Sequence, residues 1–242
     1  LALARAPRSY APELQRACDA LAALQTADGA FGGEGRAQLY NQAITTFAIT
    51  TLYSGQPSLK PVLERALGFI RARQTAEGGW DYEPRSEGNA AVTAWQVRAL
   101  ASAEAQGFDE AKMPLRKGLR WLRGNTRDDG SVAYHRGSPA RSESLTALAA
   151  CALITAGKEF PGLSDLGRQA AGTLSASAGA EGAPDCYRDY AKVLAFDSVG
   201  DRRQATALRQ QMQQRQAAGA RDQWETVGGK LYATALTMLA AR

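Results

Sequence analysis

This 242-residue chain has little of what most catalytic centres are built from. It has a single histidine, His135, and three cysteines. Cys18, Cys151 and Cys186 are far apart and odd in number, and no Cys-x-x-Cys spacing occurs, so neither a zinc knuckle nor a disulfide framework is signalled. With one imidazole and scattered thiols, a tetrahedral zinc site lacks ligands. A nucleophile–base pair would have to use His135, and no nucleophile elbow accompanies any serine. Gly32-Gly33-Glu34-Gly35 is not followed by Lys-Ser/Thr, so it reads as a turn rather than a phosphate loop. No stretch is long and apolar enough to cross a bilayer. The chain opens at Leu1 without an initiator Met and without a signal-peptide pattern. It therefore reads as a mature or truncated chain, part of a larger or exported protein, with its compartment open.

Charge of one sign is also scarce. The formal net charge is +5, from 29 Lys and Arg against 24 Asp and Glu. The basic residues mostly alternate with Asp, Glu and Gln, the pattern of solvated helix faces, and no nucleic-acid reading motif accompanies them. β-Branched residues are sparse, while alanine and leucine dominate, a composition that favours helix.

What is present is a repeat. An acidic residue followed by glycine recurs at Asp28-Gly29, Glu77-Gly78, Asp129-Gly130 and Glu181-Gly182, at intervals of about 50 residues. Upstream of the first three lie amphipathic stretches: Leu14, Cys18, Leu21 and Leu24, then Leu63, Leu67 and Ile70, then Leu115, Leu119 and Leu122. Downstream, residues 40–53, 90–103 and 144–156 are apolar on nearly every side and so predict buried helices. Each repeat therefore reads as an outer half-wet helix, a turn whose glycine ends that helix with a positive φ, and an inner buried helix. Weaker copies follow at 163–175 and 187–196, and at 201–216 and 229–241. Five helix pairs are expected over residues 11–242, behind a tail at 1–10. The fold class is all-α, an α/α toroid of outer and inner helices around a central funnel.

Two segments carry a family resemblance. Gln74-Thr-Ala-Glu-Gly78-Gly-Trp80 resembles the Gln-x-x-x-Gly-x-Trp motif of squalene and oxidosqualene cyclases. Gln25-Thr-Ala-Asp-Gly29-Ala-Phe31 repeats it with Phe for Trp, and the third copy starts at Asn125 and ends at Val132. In this motif the glutamine amide can bond backbone at the turn while the aromatic packs across to the next outer helix, a structural role. Residues 89–100 and 228–236 look like segments of bacterial prenyltransferase and squalene oxidase repeat proteins, a group that implies fold better than activity.

The chemistry of the resembling enzymes does not carry over. Aligned on Thr93-Ala94, the acidic positions of the terpene-cyclase proton donor are Asn89, Ala91 and Val92. Asp185-Cys186-Tyr187 resembles part of the prenyltransferase zinc set without its spacer, and Ala233 stands where that family has histidine. The thioester stretch of complement-like toroids is missing. Asp128-Asp129 falls in a repeat turn. No catalytic residue, metal or cofactor is assigned.

A ring of inner helices leaves a funnel lined by their starting residues. The candidate lining is Tyr40, Asn41, Asn89, Gln96, Glu143, Tyr187, Arg188, Asp189, Tyr190 and Tyr232. The densest polar and aromatic cluster is Asp185 to Tyr190, although Arg188 and Asp189 could simply satisfy one another at a helix start. The reading is a non-catalytic binding or scaffold toroid that takes a peptide, a partner segment or an apolar small molecule, without nucleic acid. The alternatives are an enzyme on an isoprenoid-like substrate and a glycan-processing toroid, for which Glu143 and Asp189 would be the one evident carboxylate pair.

Overall fold

The computed structural model describes residues 11–53, 56–82, 87–158, 160–174 and 185–219, with 235, 236 and 238. Two compact units divide at Asn125 and Thr126, and each is treated by itself.

The first unit holds α1 (Ala11–Ala23), α2 (Gln38–Tyr53), α3 (Lys60–Ala72), α4 (Ala90–Ala105) and α5 (Lys112–Gly124). Single 3-10 turns at Pro57–Leu59 and Asp109–Ala111 lead into α3 and α5. Prolines 61 and 114 sit in the first turns of those helices, where a missing N–H costs nothing. α2 packs on α3 and on α4, and α4 on α5. The alternation of outer and inner helices explains which faces are wet. α3 buries Val62, Leu63, Ala66, Leu67, Phe69 and Ile70 along one stripe. α4 is buried at every residue from Ala90 to Leu100.

The second unit holds α6 (Glu143–Ala156), α7 (Leu163–Gly172), α8 (Cys186–Val199) and α9 (Arg202–Ala217). α6 packs on α7 and α8, and α8 on α9. α6 is buried continuously from Leu145 to Ile154. Gly167 of α7 lets the helices approach, since a Cβ there would lie 2.7 Å from Ile154 and 3.0 Å from the Ala150 carbonyl of α6. Ser142, Asp185 and Asp201 cap α6, α8 and α9 with their side chains. The expected last inner helix at 229–241 and the turn at Glu181-Gly182 lie outside the described residues, apart from 235, 236 and 238.

The repeated turn does more than the sequence predicted, and in a different place. Gly29, Gly78 and Gly130 have φ of 91°, 98° and 84°. They do not end the outer helices, which stop at Ala23, Ala72 and Gly124. Instead each closes a tight turn about six residues on, donating its N–H to Thr26, Thr75 or Arg127. A Cβ at Gly29 would lie 2.2 Å from the Arg65 carbonyl, one at Gly78 2.8 Å from that of Lys117, and one at Gly130 3.1 Å from that of Gln169. Each turn therefore abuts the backbone of the following outer helix.

The motif side chains tie repeats together as expected. Gln74 donates to the Gly78 carbonyl at 2.8 Å and to the Pro114 carbonyl of α5 at 2.9 Å. Gln25 does the same to Gly29 and to Val62 of α3. Trp80 is fully buried and reaches α5, where a Cβ on Gly118 would come within 2.9 Å of its ring. In the third copy the link is reversed. Among the described residues, the Asn125 side chain bonds its own helix at Trp121, and Gln169 of α7 reaches back to the Asp128 carbonyl.

Candidate functional site

The second unit gathers charge at the starts of its two inner helices. Asp185 caps α8 by accepting the Arg188 N–H at 2.8 Å, and Ser142 caps α6 by accepting that of Leu145. With the helix ends satisfied, the residues just inside them interact with each other. Arg188 Nε donates to Asp189 Oδ1 at 3.1 Å, and Arg215, from the last turn of α9, donates to Oδ2 at 2.6 Å. Lys192, one turn further along α8, donates to Glu143 Oε1 at 3.0 Å, and Arg188 Nε lies 4.0 Å from Glu143 Oε2.

Asp189 and Lys192 are both fully buried. Taking such ions out of water costs several kcal/mol each unless a partner compensates. Every charge here has one, and Arg188 joins the two pairs into a network. The Glu143 side chain is 42% exposed and that of Arg188 20%, so these two form its wet edge. Arg188, Lys192 and Arg215 face Glu143 and Asp189, and the Asp185 carboxylate caps the same helix start, so cations and carboxylates balance. Tyr190 is buried and Tyr187 half-buried beside them in sequence.

The arrangement bears on chemistry. Two guanidiniums donate to Asp189, one to each carboxylate oxygen. Glu143 is likewise held by an ammonium. A glycoside-cleaving pair needs one carboxyl group that keeps its proton and one that stays free. Instead, Lys192 pairs with Glu143, Arg215 pairs with Asp189, and Arg188 lies between the two carboxylates.

In the first unit the candidate residues play separate parts. Asn89 caps α4, accepting the N–H groups of Ala91 and Val92. Gln96 is fully buried and donates to the Leu39 carbonyl of α2 at 2.9 Å. Asn41 is exposed, and its side chain lies against Gly32, where a Cβ would sit 2.6 Å from Nδ2. Tyr40 is half-buried, its ring 5.7 Å from that of Tyr82, over which Arg36 stacks at 5.6 Å. Beside it Arg36, Gln38, Arg73, Asp28, Glu34 and Tyr82 line an open cleft of about 400 Å³. Tyr232 lies outside the described residues.

His135 is exposed in its loop, and its Nδ1 sits 3.2 Å from the Arg136 carbonyl. Among the described residues no three of His, Cys, Asp and Glu converge as metal ligands. The three cysteines are buried thiols, and burial raises the Cys18 pKa. Asp129 is held well below the usual carboxylate range by the Ser131 hydroxyl first and by Arg141 second.

Sequence reasoning missed Lys192 and Arg215, which complete the network. Lys192 could have been noticed as the one charge inside the apolar run Ala191 to Phe196. Also missed was a recurrent bond that seats each turn on its inner helix. The N–H of the motif's last position donates to Gln42 from Phe31, to Thr93 from Trp80 and to Thr146 from Val132.

The sequence matches the family model described as the squalene-hopene cyclase C-terminal domain over residues 3–138, more than half of the chain. The fold class is therefore all-α, of the α/α toroid type of that family. A crystal structure of a protein from Actinoplanes is similar at a TM-score of 0.69 and 19% identity, covering 96% of this chain and 74% of that one. An unsaturated glucuronyl hydrolase variant described with dGlcA-Glc-Rha-Glc is similar at a TM-score of 0.53 and 18% identity. There the match covers 69% of this chain and 56% of the other. At such identities the likeness is one of fold. No curated protein matches the sequence significantly.

Proposed function

The chain belongs to the squalene-hopene cyclase C-terminal domain family, and from that premise we propose that it is a non-catalytic member, a binding toroid that holds a peptide, a partner segment or an apolar small molecule at the starts of its inner helices. The observation that carries this reading is the clamped state of Asp189, fully buried between Arg188 and Arg215. The cyclase proton-donor positions are Asn89, Ala91 and Val92, and Asn89 is spent on capping α4. The most acidic inner-helix start in the second unit is neutralised by its own cations. What remains open there is the wet edge formed by Glu143 and Arg188 beside half-buried Tyr187, suited to the polar end of an otherwise apolar ligand.

The glucuronyl hydrolase neighbour raises a glycan-processing reading, for which Glu143 and Asp189 would serve as the acids. The ion pairs that each of them makes, with Lys192 and with Arg215, weigh against it. Native mass spectrometry of the protein isolated from its own host is the test. A bound, dissociable mass is expected, and a bare chain under conditions that preserve non-covalent complexes would contradict the proposal.

A further inference from the structure

At the start of α2, an inner helix of the first unit, Asp28, Glu34, Arg36, Gln38, Arg73 and Tyr82 line the open cleft of about 400 Å³. Separate stretches of chain meet there. The first motif turn brings Asp28, the loop into α2 brings Glu34 and Arg36, and the end of α3 brings Arg73. Both guanidiniums are held by rings rather than by acids. Arg36 lies over Tyr82 at 5.6 Å from the ring centroid, and Arg73 over Phe69 of α3 at 4.8 Å. Such stacking uses the flat face of a guanidinium and leaves its N–H edge for hydrogen bonds. Among the described residues neither arginine side chain makes an ion pair or a hydrogen bond, and nor does that of Glu34. Asp28 stays an ionised acceptor, because the Thr26 hydroxyl holds its pKa below the usual value. Asp81 lines only a narrow recess beyond the cleft, where it accepts the Tyr82 N–H at 2.6 Å. Two cations and two carboxylates therefore face one space with no ion pair between them. A ligand of one sign would be attracted by one set and repelled by the other. An apolar ligand would strip water from all four charges without replacing it. A ligand that carries both signs gains from each set.

We infer that the cleft binds a short peptide with both termini free, whose carboxylate is taken by Arg36 and Arg73 and whose ammonium is taken by Glu34 and Asp28. The planar fork of a guanidinium matches a carboxylate edge-on with two parallel bonds. The Gln38 amide, donor and acceptor in one group, matches the peptide bonds between the termini. Guanidiniums already stacked on rings are partly ordered, so less freedom is lost when the ligand arrives. The cleft lies in the size range of small-ligand sites, about 300–1,000 Å³. The inference rests on the binding reading above and selects the peptide from the ligands it allows.

Isothermal titration of the full chain with trialanine, N-acetyl-trialanine and trialanine amide tests it. Trialanine is expected to bind saturably. Blocking either terminus should weaken binding about tenfold or more, the loss of a charge-assisted bond. Arg36→Met/Arg73→Met should remove the preference for trialanine over its amide and keep the preference over the acetylated form. Glu34→Gln should reduce the preference over the acetylated form and keep that over the amide. Arg36→Lys/Arg73→Lys, which keeps charge but not the fork, should retain part of the preference over the amide and stands in if the methionine pair does not fold. The inference is overturned if trialanine fails to bind, if the blocked forms bind as well as the free peptide, or if the variants keep both preferences. Binding of maltotriose in place of trialanine would overturn it too, since hydroxyls rather than charged termini would then be recognised. A host-derived ligand on a protein that ignores trialanine would sink this inference and leave the binding reading standing. Turnover of a host-derived ligand by a protein that still holds trialanine through Arg36, Arg73 and Glu34 would do the reverse, sinking the non-catalytic reading alone.

Discussion

Gly78 carries two constraints at once. Its φ of 98° disfavours any L side chain, and a Cβ would press within 2.8 Å of the Lys117 carbonyl. Gly78→Ala should therefore destabilise by about 1–3 kcal/mol or more, whereas a change at Gly33, with nothing within 4 Å, should be near neutral. Urea unfolding midpoints compare the two. Asp129 offers a pH signature at the same scale. Its folded-state pKa is depressed by Ser131 and Arg141, so it binds fewer protons folded than unfolded. The stability it adds is present above about pH 4, the unfolded value, and is lost as pH falls through the folded pKa. Asp129→Asn should flatten the acid limb of a plot of melting temperature against pH. Because the side chain is 44% exposed, the change is small. Asp189 differs in that removing it would strand Arg188 and Arg215, so Asp189→Ala should disrupt folding rather than report on turnover alone.

At the scale of elements, most boundaries were readable because hydrophobic periodicity is local. Inner helices predicted at 40–53, 90–103 and 144–156 lie at Gln38–Tyr53, Ala90–Ala105 and Glu143–Ala156. The weaker helix expected at 163–175 stops at Gly172, and that at 187–196 extends to Cys186–Val199. The glutamine motif was readable too, and Gln74→Ala should cost about 1–3 kcal/mol by leaving the Gly78 and Pro114 carbonyls without their donor, measurable as a drop in unfolding free energy at unchanged m-value. The glycine's position in the motif was misread as a helix stop because a positive φ fits both a helix end and a tight turn. The seats at Gln42, Thr93 and Thr146 were not legible, since each pairs residues 11 to 14 apart across a loop and has a different side chain in each repeat. Nor was the burial of Lys192 and Arg98. A lone charge in an apolar helix can snorkel or be covered, and only the neighbouring elements decide which.

For the molecule as a whole, family and fold class follow from repetition, while function depends on what the inner-helix starts do with their charges. Asp185 to Tyr190 was visible as a polar and aromatic cluster, and Glu143 with Asp189 as a carboxylate pair. What they do was not, because Arg215 arrives from another helix and changes two candidate acids into an internally neutralised network. The most direct measurement is to recover the molecule released by denaturing host-purified protein, return it to stripped protein, and follow its mass over time. The prediction is stoichiometric rebinding with the mass unchanged. Conversion to a product of different mass, abolished by Glu143→Gln, would contradict it.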